Sequence, residues 1–244
     1  KSIKKNKKDS LILNIYKGDL LIRTLKKKAP KKQGIYRWYW NMDEKGVERP
    51  SRTPSRSKRE PSGVRVKPDS YRLVMSFGEE RSEQNITVST DPRLDVNYKN
   101  LDEVYSASKE LENYMSTAAK AVKQLSESKQ VLTDYQKLFK SNKSDEMKSL
   151  IKEMKNQIKS IDSLISLFLG KVDKRQGIVR NPESNVMTRI RGAAGYISSR
   201  QQGITSTEKG LLKHAKNELN AAVLKTNAFF SEIWPALRTK IESE

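Results

Sequence analysis

From Leu101 to Phe139 apolar residues return at strict seven-residue intervals: Val104, Leu111, Ala118, Leu125, Leu132 and Phe139, with Ala107, Tyr114, Ala121 and Tyr135 beside them. Neither glycine nor proline interrupts the run. The spacing predicts one helix of roughly 40 residues, about 60 Å long, with a single apolar seam. A helix of that length cannot bury its seam alone, so later segments must lie against it.

Three later segments qualify. Met147, Ile151, Met154, Ile158, Ile161, Ile165 and Phe168 step by four and three, after a break at Asn142 to Ser144 and before a stop at Gly170. A polar connector, Lys171 to Glu183 with Gly177 and Pro182, leads to a shorter helix through Val186, Ile190, Ala193, Ala194 and Ile197, weakened by Gly192 and Gly195. Gly203 ends it, and Thr205-x-x-Glu208 caps a fourth helix with its seam on Leu212, Ala215, Leu219, Ala222, Phe229 or Phe230, Ile233, Leu237 and Ile241. Asn100-x-x-Glu103 is the same capping pattern at the start of the first helix. The expectation is an antiparallel four-helix bundle over residues 94–244. Up-down-up-down connection would leave Val104, Leu111, Ile233, Trp234, Leu237 and Ile241 together at one uncovered end, with Trp234 largely buried where the helices meet the preceding part.

That preceding part, residues 1–93, has strand periodicity. Leu11 to Tyr16 and Leu20 to Leu25 flank a Gly18-Asp19 turn, and Ser70 to Phe77 and Arg81 to Val88 flank Gly78-Glu79. Between them, Ile35 to Met42 alternates as a strand, with Tyr36, Trp38 and Trp40 on one face as the aromatic filling of a small core. Pro50 to Pro61 is low in complexity, and residues 49–67 are expected to form a basic, disordered-like loop. The fold class is therefore α+β in two domains: a small antiparallel β-sandwich of immunoglobulin or fibronectin type, followed by the bundle.

The order L-I-L-N-I-Y-K-G-D-L-L-I-R-T-L (Leu11–Leu25), G-I-Y-R-W-Y-W-N-M-D-E-K-G-V (Gly34–Val47), V-K-P-D-S-Y-R-L (Val66–Leu73) and V-S-T-D-P-R (Val88–Arg93) resembles the C-terminal region of a bacterial family. Its members are secreted, sortilin-like β-propeller proteins with neuraminidase-type repeats, regarded as glycosyl hydrolases. They carry an immunoglobulin-like module and then a helical tail. Tyr36 stands where the family has Asn or His, and Asp69-Ser70 replaces Gly-Thr. The resemblance implies that Lys1 follows an upstream propeller, which would hold any glycosidase-like site and would be the partner of this chain. It also implies a periplasmic or extracellular location.

Chemistry read from the residues alone is sparse. The chain has no cysteine and one histidine, His214, which rules out thiolate metal sites, disulfides and a Cys nucleophile. Glycines are scattered without a phosphate-loop pattern. Carboxylate neighbours such as Glu79/Glu80 and Asp102/Glu103 sit in a turn and a helix cap, not across a cleft. The expectation is no catalytic, cofactor or metal site, and no apolar run long enough to insert in a membrane.

Charge is the remaining signal. Lys1 to Lys67 holds 21 Lys and Arg against 6 Asp and Glu, whereas the other 177 residues hold 28 against 23. Two functions follow from different classes: a non-catalytic accessory region of the propeller protein, or a polyanion-binding module for nucleic acid or anionic glycan. Arg52, Arg56, Lys58 and Arg59 are the candidate contacts of the second.

Overall fold

Two glycines set the two hairpins of the β part. Gly18 (φ 56°) and Gly78 (φ 59°) open two-residue turns in the left-handed region, where a side chain is disfavoured. The turns join β1 (Ser10–Lys17) to β2 (Leu20–Lys28) and β5 (Asp69–Phe77) to β6 (Glu80–Val88). A computed structural model describes residues 10–32, 34–53, 57, 59–142, 144–172, 183–200 and 202–243. The Lys1–Lys8 run, Arg56, Lys58 and most of the Lys171–Glu183 connector lie outside these. The fold is α+β, with a four-stranded antiparallel sheet in the order β2-β1-β5-β6, a two-stranded sheet and a set of helices.

Inward residues of the large sheet, Leu13, Ile15, Ile22 and Tyr71, form its buried core. A bulge decides part of this. Ile15 pairs with Arg23 but Tyr16 pairs with Leu21, so Ile22 is an extra residue and both Ile22 and Arg23 are buried.

The aromatic stretch is not a strand. Residues 35–41 have no ladder partner; only the residues from Asp43 onward pair, as β3 (Asp43–Lys45) with β4 (Ser62–Arg65). Its alternation survives for a different reason: Trp38 and Trp40 pack on the sheet core without a ladder. Trp40 meets Tyr71 edge-on at 5.6 Å, and its Nε1 donates to the Asp43 carbonyl at 2.9 Å. Tyr36, expected on the inward face, is exposed. β4 also corrects the expected loop over 49–67, since its second half is ordered against β3. Gly46 and Gly63 allow that pairing: a Cβ on Gly46 would lie 2.3 Å from the Ser62 carbonyl oxygen and 2.8 Å from the Gly63 Cα.

The helices follow their seams. α1 (Tyr98–Phe139) buries Leu111, Ala118, Leu125 and Leu132, and it starts earlier than expected, with Asn97 rather than Asn100 accepting from the Lys99 N–H. Ser144 caps α2 (Asp145–Leu169) through the Met147 N–H, and Gly170 stops it at φ 77°. Asn185 and Thr188 cap α3 (Val186–Ser198) reciprocally. Thr205 and Glu208 form the expected box on α4 (Ser206–Ala228). The last helix is not continuous. A π-helical turn, Phe229–Ile233, separates α4 from α5 (Trp234–Glu242), and the Trp234 N–H reaches back five residues to the Phe229 carbonyl. Pro235 supplies the cause, because it has no N–H for the ladder and its ring crowds the preceding turn.

Contacts divide the chain into a β unit (Lys1–Val47, Arg56–Glu112, Arg200–Gly203) and a helical unit (Glu48–Ser55, Asn113–Ser199, Ile204–Glu244). Within the helical unit the expected alternation of directions does not occur. α2 runs antiparallel to α1, as Lys129–Asp162 and Gln136–Ile151 contacts require. Lys240 of α5 reaches Glu153 near the start of α2, while α4 also touches α2, so α4 and α5 run antiparallel to α2 and parallel to α1. Asn185, at the head of α3, sits against Gly170, at the foot of α2. α2 and α3 thus share one column, as α4 and α5 do, so the helices fill three columns instead of the expected four.

Candidate functional site

Among the described residues a titratable cluster lies in the β unit, where the first four or so turns of α1 meet β3 and β4. Tyr105, Lys109 and Glu112 share one helix face by spacing. Tyr105 Oη donates to Glu44 Oε1 at 2.6 Å, and Lys109 Nζ donates to Glu44 Oε2 at 3.3 Å and Glu112 Oε2 at 2.7 Å. Glu112 Oε1 accepts from the Val64 N–H at 3.1 Å. Beside them Lys67 bonds Asp102 at 2.7 Å and lies 5.2 Å from the Tyr105 ring centre. Gly63 leaves the room, since a Cβ there would stand 2.7 Å from Glu112 Oε1.

Every oxygen of the Glu44 and Glu112 carboxylates therefore has a donor. Burial pushes the Tyr105 phenol up, and its bond to Glu44 pushes it further. Burial alone would lower Lys109, but the bond and charge of Glu112, with Glu44, overcome it and raise the ammonium. Neither group is a base at neutral pH. The arrangement can fasten a helix to a β ribbon; it offers no free acid/base pair. Nothing in the sequence singled it out, because the three α1 residues look like ordinary polar positions until Glu44 and Val64 arrive from elsewhere in the chain.

Tyr71 nearby is pushed up to about 12, chiefly by burial and then by the Asp69 and Glu44 charges. It donates to the Lys67 carbonyl at 2.6 Å. Tyr71, Tyr105 and Lys109 all hold their protons more tightly in the folded chain than in the unfolded one. Their contribution is complete below about pH 10 and is lost as pH rises through the folded values. Urea melts at pH 9 and pH 12 are expected to show this loss, on the order of 2 kcal/mol from Tyr71. Tyr71→Phe should cost about 1 kcal/mol near neutrality through its lost hydrogen bond, yet flatten the alkaline decline. An unchanged slope in that variant would assign the decline elsewhere.

Of the expected polyanion contacts, Arg52 and Arg59 are among the described residues. Arg52 belongs to the helical unit and donates to the Gly170 carbonyl, a cation at the C-terminal end of α2. Arg59 belongs to the β unit, is exposed, and its N–H donates to Ser57 Oγ at 3.2 Å. Arg56 and Lys58 fall outside the described residues.

Trp234 is also not where the sequence placed it. It is half-buried inside the helical unit, 6.3 Å from Phe229 and 6.0 Å from Phe230 between ring centres. There it lines a cleft of about 290 Å³ with Val131, Tyr135, Leu237 and Ile241, beside the C-terminal half of α1. The parallel course of α4 and α5 carries it there.

His214 is exposed on α4, no group of three His, Cys, Asp or Glu among the described residues could hold a metal ion, and no described helix is long and apolar enough to cross a membrane. No protein-family model, curated protein or solved structure matches the chain.

Proposed function

We propose that this chain is a non-catalytic accessory region of a secreted, sortilin-like β-propeller protein, working in the periplasm or outside the cell beside its upstream propeller. The four-stranded sheet and the β3–β4 ribbon are then the two layers of a reduced immunoglobulin-like sandwich. The helices are the bundle of its tail, with the second and third stacked in one column. The motif segments support this: they fall on β1–β2, on the aromatic segment with β3, on the lead into β5, and on the end of β6. One observation carries the non-catalytic part. Each carboxylate oxygen of Glu44 and Glu112 has a donor from Tyr105, Lys109 or the Val64 amide, so this acid–base cluster of the described residues is a joint. Glycosidase chemistry needs one carboxyl free to donate a proton and another free to attack or activate water.

The test has two arms. Aryl-glycoside hydrolysis by this chain is expected to be undetectable between pH 4 and 9; hydrolysis abolished by Glu112→Gln overturns the non-catalytic role. Separately, the chain should co-elute with the propeller segment of its precursor. A propeller that is equally stable and soluble without this chain, and does not bind it, removes the accessory role.

A further inference from the structure

Between Leu20 and Met42 there are seven cations and no acid. Arg23 is buried against Asp43, but Lys26, Lys27, Lys28, Lys31, Lys32 and Arg37 form no ion pair among the described residues. On the helices several cations are answered, Lys129 by Asp162, Lys137 by Asp134, Lys148 by Asp145, Arg238 by Glu242 and Lys240 by Glu153, while others such as Lys120, Lys123, Lys155 and Lys213 form no ion pair among the described residues. The 20–42 stretch differs in having no acid of its own among its cations. Aromatic surface is concentrated there too. Ile35 is fully exposed, Tyr36 is 53 % exposed and Tyr39 68 %. Trp38 and Trp40 anchor this segment in the core, so Tyr39 is held outward by its inward neighbours. Tyr36 Oη donates to the Lys32 carbonyl at 2.8 Å, which pins the ring, and Arg37 donates to Tyr39 Oη at 3.4 Å.

Lysines on an outer strand are ordinarily a guard against sheet growth, and that accounts for Lys26 to Lys28 on β2. It does not account for Lys31, Lys32 and Arg37, which lie off the sheet, nor for two tyrosines presented among them.

We infer that residues 26–32 and 34–39 form a binding surface for single-stranded nucleic acid, with the lysines on phosphates and Tyr36 and Tyr39 stacking on bases. Cations that track a backbone beside exposed rings are the recurrent solution for single strands, because every base has a π-face. A polysulfated sugar carries its charge around the ring and offers a tyrosine little bare surface. Base edges are not read, so binding is tolerant of sequence. This surface is separate in sequence from Arg52, Arg56, Lys58 and Arg59 and does not depend on the accessory role above.

Fluorescence anisotropy with a labelled 20-mer oligodeoxythymidylate and the full chain tests it between 50 and 200 mM salt. Six neutralised phosphates predict a log–log slope of about −4. Tyr36→Ala/Tyr39→Ala should weaken binding at least tenfold at fixed salt and leave the slope unchanged. Tyr36→Leu/Tyr39→Leu, which keeps apolar bulk without a ring, should do the same. Lys31→Gln/Lys32→Gln should make the slope shallower by about 1.4. Arg52→Gln/Arg59→Gln should change neither quantity. Circular dichroism confirms that each variant is folded. No binding at 50 mM salt overturns the inference. So does wild-type affinity in either tyrosine pair, or heparin binding as tight as the oligonucleotide and indifferent to the tyrosines.

Discussion

Asp43→Ala is expected to destabilise the β unit by about 3–5 kcal/mol, the cost of leaving a buried partner charge alone. Arg23 and Asp43 are each 5 % exposed and face each other at 3.5 Å. Arg23 also donates to the Pro61 carbonyl, so the one guanidinium ties β2 to both the start of β3 and the approach to β4. Removing the carboxylate strands the guanidinium, because the bulge that buries it gives it no route to solvent. The pair itself is imperfect: Arg23 Nε and Asp43 Oδ2 lack hydrogen bonds. Arg23→Met with Asp43→Leu should therefore recover most of the loss, since an apolar pair of similar volume escapes the desolvation cost. Urea melts followed by the fluorescence of Trp38 and Trp40 would measure both. A loss below 1 kcal/mol in Asp43→Ala would show that water reaches the site.

Phe168→Ala should cost a similar ~3–5 kcal/mol in the helical unit. Phe168 is completely buried and continues the Met147, Met154 and Ile161 row of α2. Its position makes collapse difficult. Two residues later Gly170 ends the helix, and a Cβ there would be 3.0 Å from Asn185 Nδ2 at the head of α3. The ring lies next to the break in the column, where neither helix can slide along its axis to fill a void without opening a cap. The transfer and cavity contributions therefore add. Thermal melts at 222 nm would register the loss. A change under 1 kcal/mol would mean that the two short helices re-seat against each other.

How far the chain could be read from its sequence varied by element, for identifiable reasons. The seams of α1 and α2 were legible because heptad spacing is local and neither helix is interrupted. The Gly18 and Gly78 turns and the Thr205–Glu208 cap were legible for the same reason: each is complete within four residues. Residues 35–41 were misread because alternation reports which side chains face inward, and says nothing of whether a neighbouring strand exists to bond the backbone. Trp38 and Trp40 alternate correctly on a segment with no ladder. β4 was missed because Ser62-Gly63-Val64-Arg65 has little strand propensity and pairs only because Gly46 and Gly63 let the two backbones close. The carboxylate–lysine–tyrosine joint was invisible, since its members come from three separate segments.

Amphipathic period, turn glycines, caps and the uneven charge were determined by the sequence itself, because each depends on residues within a turn or two of one another or on simple addition. Direction and partnership were left to the tertiary structure. A seam states that a helix must be covered but not by which neighbour or in which sense. Only the short reach from Gly170 to Asn185 put α2 and α3 in one column and turned α4 and α5 parallel to α1. The same holds for charge. Composition placed the excess in the first 67 residues, but only packing showed which lysines are left without acids, by burying Trp38 and Trp40 and thereby turning Arg37 and Tyr39 outward.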